Sequence, residues 1–109
     1  MASEVMKVKL NAAMSDSEVD LLTVASGHTY TVLSVTICET GNAAETFKLL
    51  IDDGGGGSDT YIYFDQALAA KETFEHTSKF VMEATDHLSI ITGDSSNIDV
   101  VVSYLDQTL

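Results

Sequence analysis

The chain has 109 residues and a formal net charge of −12, with 17 acidic residues against five lysines and no arginine. This length predicts one domain with one modest core. The acidity predicts repulsion from phosphate backbones and anionic lipids, so nucleic-acid and membrane binding are excluded as functions. The negative charge has two interpretations. Either it attracts a basic partner, or it is only a solvated acidic surface.

The remaining composition narrows the class of protein further. One cysteine, Cys38, excludes an intrachain disulfide and argues against a cysteine zinc site. Because it lies in an apolar run, we expect a buried, inert thiol. The first ten residues lack the apolar segment of a signal peptide, and every apolar run is far shorter than a membrane span. Synthesis in the cytoplasm is therefore the default.

The chain begins with an alternating segment that has two interpretations. Met6, Val8 and Leu10 alternate with polar residues, which predicts either a first strand or an extended arm that reaches a neighbouring subunit. We treat residues 1–18 as this strand or arm and residues 19–109 as the main domain. An arm of this kind gains affinity by adding a strand to an exposed sheet edge.

The next segments predict three strands. Val19 to Val24 is short, and Tyr30 to Cys38 is the clearest strand because it is rich in β-branched residues. Strict alternation there puts Leu33, Val35 and Ile37 on one face and their neighbours on the other. A further alternating run follows from Phe47 to Ile51.

The middle of the chain contains four consecutive glycines, Gly54 to Gly57. Their backbone entropy excludes a strand interior, so residues 53–59 are predicted to be an exposed hairpin tip or a mobile loop. Thr60 to Phe64 is a fifth strand. Gln66 to Lys71 is predicted to be a short connection with one helical turn.

The C-terminal part predicts four more strands and a tail at residues 106–109; the strands are Thr73 to His76, Phe80 to Met82, His87 to Thr92 and Ile98 to Leu105. Eight or nine short strands with frequent turns predict an all-β, single-domain, antiparallel β-sandwich that is jelly-roll-like. With no proline, the sheet edges need acidic side chains, oligomerisation or burial in an assembly for protection.

Two of these strands have apolar residues on both faces. Every residue from Tyr61 through Tyr63 to Phe64 is large and apolar or aromatic, and Val101 lies between two other valines. Since a small sandwich has one core, the second face needs cover. Either a subunit or partner covers it, which is the interpretation that we favour, or the chain's own loops do. We expect a homo-oligomer, with a trimer favoured.

The sequence contains no pattern that indicates a catalytic, cofactor or metal site. The histidines, His28, His76 and His87, lack metal-ligand spacing, although a site assembled in space stays open. Acidic residues beside the glycines suggest calcium only superficially, and whether residues 53–59 bind an ion stays open. No lysine follows the glycines as in a phosphate-binding loop. We therefore expect no enzyme, no catalytic residue, no cofactor and no metal.

Four segments carry a resemblance to a known group of proteins: Val32 to Thr40, Tyr61 to Leu68, Lys79 to Leu88 and Asp99 to Leu105. In this order they resemble small β-sandwich virion structural proteins of tailed bacteriophages, chiefly of cyanobacterial and other aquatic hosts. Relatives often have a proline where this chain has Ala69, and the resemblance implies no catalytic residues.

The resemblance implies a capsid decoration or cement protein that binds the major capsid protein or another virion protein, commonly as a trimer. It further implies a place in the virion, with the capsid surface favoured. The alternatives are a tail or neck component and a carbohydrate-binding sandwich module. The candidate interface residues are Met6, Val8, Leu10, Tyr61, Tyr63 and Val101.

Overall fold

A computed structural model describes residues 3–12, 17–53, 59–93 and 97–108. This part of the chain contains nine strands: β1 (Ser3–Asn11), β2 (Val19–Thr23), β3 (His28–Glu39), β4 (Glu45–Asp52), β5 (Thr60–Leu68), β6 (Thr73–His76), β7 (Phe80–Met82), β8 (His87–Thr92) and β9 (Ile98–Thr108). The prediction of an all-β fold with eight or nine strands is confirmed. None of the described segments is a helix long and apolar enough to cross a membrane.

The strands form two antiparallel sheets that pack face to face. One sheet has the order β1-β9-β3-β6, with β7 also paired to β3, and the other has the order β2-β8-β4-β5. The pairs are nested along the chain, since β1 pairs with β9, β2 with β8, β3 with β6 and β7, and β4 with β5. This is the double-sheet jelly roll that the sequence predicted.

The core lies between the two sheets and is built from the inward residues of eight strands, all except β1. Its largest fully buried side chain is Phe47, whose ring centroid lies 5.4 Å from that of Phe74 and 6.0 Å from that of Tyr63. No described residue of β1 belongs to this core. The first strand is therefore held by its pairing with β9, and hardly by packing.

A β-bulge in β3 changes the faces predicted for this strand. Val32 lies opposite Tyr104 and Ser34 opposite Ser103, which leaves Leu33 as the extra residue. Val32 is consequently fully buried together with Val35 and Ile37, while Leu33 is half-buried. The prediction that Leu33 shares the face of Val35 was wrong. The bulge inserts one extra residue, and this shifts the alternation between the two faces of the strand.

Three further predictions need correction. The segment that begins at Gln66 was expected to be a connection, but strand β5 continues through it up to Leu68. A bulge at Asp65, whose φ is 53°, redirects the strand, and Leu68 is buried. The expected tail is strand up to Thr108, and Asp106 is buried. Cys38 is half-buried and faces outward, because the inward positions beside it are taken by its two neighbours. The predicted loop at residues 53–59 has its glycines, residues 54–57, outside the described residues.

Candidate functional site

β1 is an edge strand with both faces open to solvent. Every residue from Ser3 to Leu10 is exposed, and only Asn11 is half-buried. The strand pairs with β9 over nine consecutive positions without a register shift. The pairing therefore fixes its position in the fold, although no described residue covers its two faces.

The register with β9 decides which side chains of β1 point outward. Val102 and Tyr104 of β9 face the core, and Lys9 and Lys7 lie opposite them on the same side. Residues directly opposite each other share a face. Met6, Val8 and Leu10 consequently point away from the core.

These three residues form the centre of an exposed apolar surface. Their exposed fractions are 73% for Met6, 57% for Val8 and 69% for Leu10. Met6 lies beside Leu105, and Leu10 lies beside Val101, which is itself 38% exposed. We call this surface, formed by Met6, Val8, Leu10, Val101 and Leu105, the β1 face. A contiguous apolar surface of this kind marks an interaction site more often than a solvated one.

A shallow depression adjoins the β1 face at the end of the strand. It has a volume of about 250 Å³ and lies between Leu10, Ala12 and the Val100–Val101 segment. A depression next to exposed apolar side chains is the shape that receives a side chain from a binding partner. The β1 face thus combines a row of protruding apolar residues with an adjoining shallow depression.

The other two candidate interface residues lie on β5, at the opposite side of the sandwich. Tyr61 is exposed, and its ring contacts the exposed Phe64 at 5.0 Å. Tyr63 instead packs against the core, with its hydroxyl 2.9 Å from Nδ1 of His76. Tyr61 and Val101 are thus available to a partner, and Tyr63 makes its contacts within the chain.

An ion-pair cluster anchors β1 to the body of the domain. Lys7 Nζ donates to Asp106 Oδ2 at 2.8 Å, and His28 Nδ1 lies 2.6 Å from Asp106 Oδ1. The three residues come from β1, β3 and β9, so the buried Asp106 carboxylate joins three neighbouring strands. The sequence alone does not predict this cluster, because its members are far apart in the chain and Asp106 looks like part of a polar tail.

The cluster shifts two pKa values in the directions expected for an ion pair. Hydrogen bonds from His28 and then Lys7 lower the pKa of Asp106, and the same bond to Asp106 raises the pKa of Lys7. The contribution of Asp106 to the stability of the fold is present above the ordinary aspartate pKa, about 3.9. It is lost as the pH falls through the lowered pKa of Asp106. The Lys7 contribution is complete below about 10.4 and is lost as the pH rises through the raised value.

We expect Asp106→Asn to lower the melting temperature at pH 7 by roughly 4 °C or more, given that about 1 kcal/mol corresponds to about 4–8 °C in a domain of this size. The difference from the wild type should shrink as the pH falls through the lowered pKa of Asp106, below which both side chains are uncharged. The control is Asp65→Asn, which breaks an exposed pair with Lys48 (2.6 Å) and should have little effect. Thermal melts between pH 2 and pH 7 measure both, and equal effects of the two variants would contradict the anchoring role.

The inner side of β1 borders an open groove between the two sheets. The groove has a volume of about 270 Å³ and is lined by Lys9, Asp20, Tyr30, Tyr104 and the Leu21–Thr23 segment. It lies between β1 and β2, which are the edge strands of opposite sheets on the same side of the sandwich. β1 therefore extends the sheet past the edge of the core and leaves the space between β1 and β2 open.

The three histidines are separated in the structure. His28 contacts Asp106, His76 contacts Tyr63, and His87 lies 2.9 Å from the Thr23 hydroxyl. Among residues 3–12, 17–53, 59–93 and 97–108, no three His, Cys, Asp or Glu side chains come together as metal ligands. The open possibility of a three-histidine site is therefore not supported by these positions.

Comparisons with known proteins connect the chain to others through its fold. A scan against protein-family models finds no match, and a search of curated proteins finds none either. Among solved structures, the chain is similar to Bacillus endospore appendages, described as disulfide-linked pili. The TM-score is 0.60 at 12% identity, over 100% of this chain and 91% of the other.

Two virus structures show a similar likeness. The capsid of Helicobacter pylori bacteriophage KHP30 has a TM-score of 0.57 at 15% identity, over 100% of this chain and 94% of that chain. The infectious bursal disease virus particle has a TM-score of 0.58 at 10% identity, over 97% of this chain but only 31% of that one. Viral capsid proteins and a spore pilus thus share the β-sandwich fold of this chain at low sequence identity.

Proposed function

We propose that the chain is a non-enzymatic structural protein of a virus particle. Within that class we favour a capsid decoration or cement protein that binds the major capsid protein at the surface of a tailed-phage head. The observation that carries the proposal is the β1 face, an exposed apolar surface on a strand that contributes nothing to the core. The fold likeness to capsid proteins supports the same class, although a fold alone does not determine a function.

The β1 face has the features that a docking surface on a shell requires. Its apolar side chains lose water on contact, and each Val or Leu side chain that is fully buried contributes about 1.5–3 kcal/mol. The net charge of −12 adds attraction to basic patches on a shell, which raised salt will weaken. Docking therefore combines an apolar centre with long-range attraction.

The same surface serves a tail or neck component almost as well, and this is the alternative position on the particle. A carbohydrate-binding module is less well supported. Sugar-binding platforms present aromatic rings as flat surfaces, but the exposed rings of Tyr61 and Phe64 are inclined at 82° to each other. The chain also contains no tryptophan.

We further propose that the particle-bound form is a homo-oligomer and favour a trimer. A ring of three copies needs two different complementary patches on each copy. The exposed pair Tyr61 and Phe64 on β5 supplies one such patch, on the side of the sandwich opposite to β1, so that the β1 face stays open for the shell. Light scattering over a range of protein concentrations measures the number of copies, and a persistent monomer would contradict self-association.

Heating of particles tests the cement role. Heads assembled with this protein should release DNA at a higher temperature than heads assembled without it, because a ligand of the intact shell stabilises that shell. Leu10→Glu should abolish both binding and protection. Val81→Glu is the matched control, since Val81 is also exposed on the outer side of this sheet but lies at its far edge. Equal resistance of heads with and without the protein would rule out a cement function.

A further inference from the structure

The free edge of β1 differs from every other sheet edge in the described residues. β1 has nine residues in unbroken register, whereas β2 has five residues with a register shift. β5 has two register shifts, and β6 and β7 have four and three residues. Bulges and short strands protect edges against pairing with another chain. β1 has neither form of protection.

Lysines also protect sheet edges, but those of β1 are partly neutralised. Lys7 lies 2.8 Å from the Asp106 carboxylate, and Lys9 lines the groove that Asp20 also lines. With two lysines and one glutamate, β1 is also the one described strand with a positive formal charge. Two copies that meet at β1 therefore bring together strands with a formal charge of only +1 each and keep their acidic strands apart.

We propose that β1 pairs antiparallel with β1 of a second copy around a two-fold axis at Val8, so that one sheet continues across both molecules. The contact is isologous, with the same strand used by both partners. It goes beyond the proposed function, because it joins two copies of this chain through the strand edge and leaves the β1 face open. Pairing would double the area of that face.

The register follows from the side chains that each alignment brings together. Centred on Val8, the alignment pairs Val8 with Val8 and Met6 with Leu10, which are all apolar. Centred on Lys7, it pairs two lysines and puts Glu4 against Leu10. Centred on Met6, it puts Glu4 against Val8. The Val8 register does put Lys9 opposite Lys7, but the Lys7 charge is balanced by Asp106.

This pairing covers seven residues of each strand, from Val5 to Asn11. Such an edge contact is smaller than a standard interface of roughly 1,200–2,000 Å². The expected dimer is therefore weak and depends on concentration. Crosslinking captures a weak contact of this kind, and it also reports the register.

Cysteine crosslinking in a Cys38→Ser background tests the proposal. Residues directly opposite across an antiparallel pair have Cβ atoms about 4.5–5.5 Å apart, so Val8→Cys should give a disulfide-linked dimer on mild oxidation. Met6→Cys and Leu10→Cys should each stay monomeric, because like positions are then about 13 Å apart along the strand. A mixture of these two proteins should form the mixed dimer.

Val81→Cys is the control for non-specific collision, since that side chain is as exposed as Val8. Crosslinking of Val8→Cys at no more than the Val81→Cys level would overturn the proposal, as would Met6→Cys homodimers formed equally well. All of these positions are exposed, so the fold is expected to persist, and a thermal melt checks it. If heads are protected against heat but Val8→Cys does not crosslink, the strand pairing is wrong and the virion function stands.

Discussion

Phe47→Ala is expected to lower the free energy of unfolding by about 3–5 kcal/mol, the range for deleting a buried phenylalanine ring. Phe47 is 1% exposed and contacts the rings of Phe74 and Tyr63, so its removal leaves a cavity between the two sheets. For a domain whose total stability is about 5–15 kcal/mol, this loss approaches unfolding at physiological temperature. Denaturant titration followed by circular dichroism measures it.

Phe64→Ala is the matched control, because it removes the same ring from an exposed site of the same sheet. Phe64 lies 4.7 Å from Lys48 Nζ and contacts Tyr61, contacts worth about 1 kcal/mol at a solvated surface. We therefore expect a small loss of stability. Similar losses for the two variants would show that the core does not lie where Phe47 is buried.

Deletion of residues 1–12 is expected to leave a folded sandwich that no longer binds particles. The core contains no β1 residue, and β9 keeps its pairing with β3 after the deletion. The loss of stability should be smaller than that of Phe47→Ala, since it is limited to one edge ladder and the Lys7 contact with Asp106. Circular dichroism measures folding, and co-sedimentation with heads measures binding.

Replacement of Met6, Val8 and Leu10 by threonine gives the control for this deletion. Threonine keeps the strand and its pairing with β9, but it removes the apolar surface, so binding should be lost while stability is kept. This variant also avoids uncovering the edge of β9. A truncated chain that fails to fold would contradict the proposed division between residues 1–18 and the sandwich domain, since β1 would then be integral to folding.

The sequence by itself determined the fold class. Alternation with a period of two, β-branched residues and frequent turns are local properties, and they indicated each of the nine described strands, although not the last residues of β5 and β9. The strand order then corresponds to one long hairpin that is rolled into two sheets, with β1 paired to β9, β2 to β8 and β4 to β5. Short connections favour this arrangement. Errors occurred where the period breaks, as at Leu33 and Asp65, because a bulge depends on the partner strand and leaves no clear signal in the strand itself.

The tertiary structure alone decided the orientation of β1. From alternation, Met6, Val8 and Leu10 fit equally well a first strand with an apolar face turned to the core and an arm that reaches a neighbour. The pairing with β9 turns these residues outward and brings Lys7 to Asp106, an aspartate 99 residues away in the chain. A shift of one residue would exchange the two faces of the strand. The choice depends on a long-range register and a buried carboxylate, and local sequence contains neither.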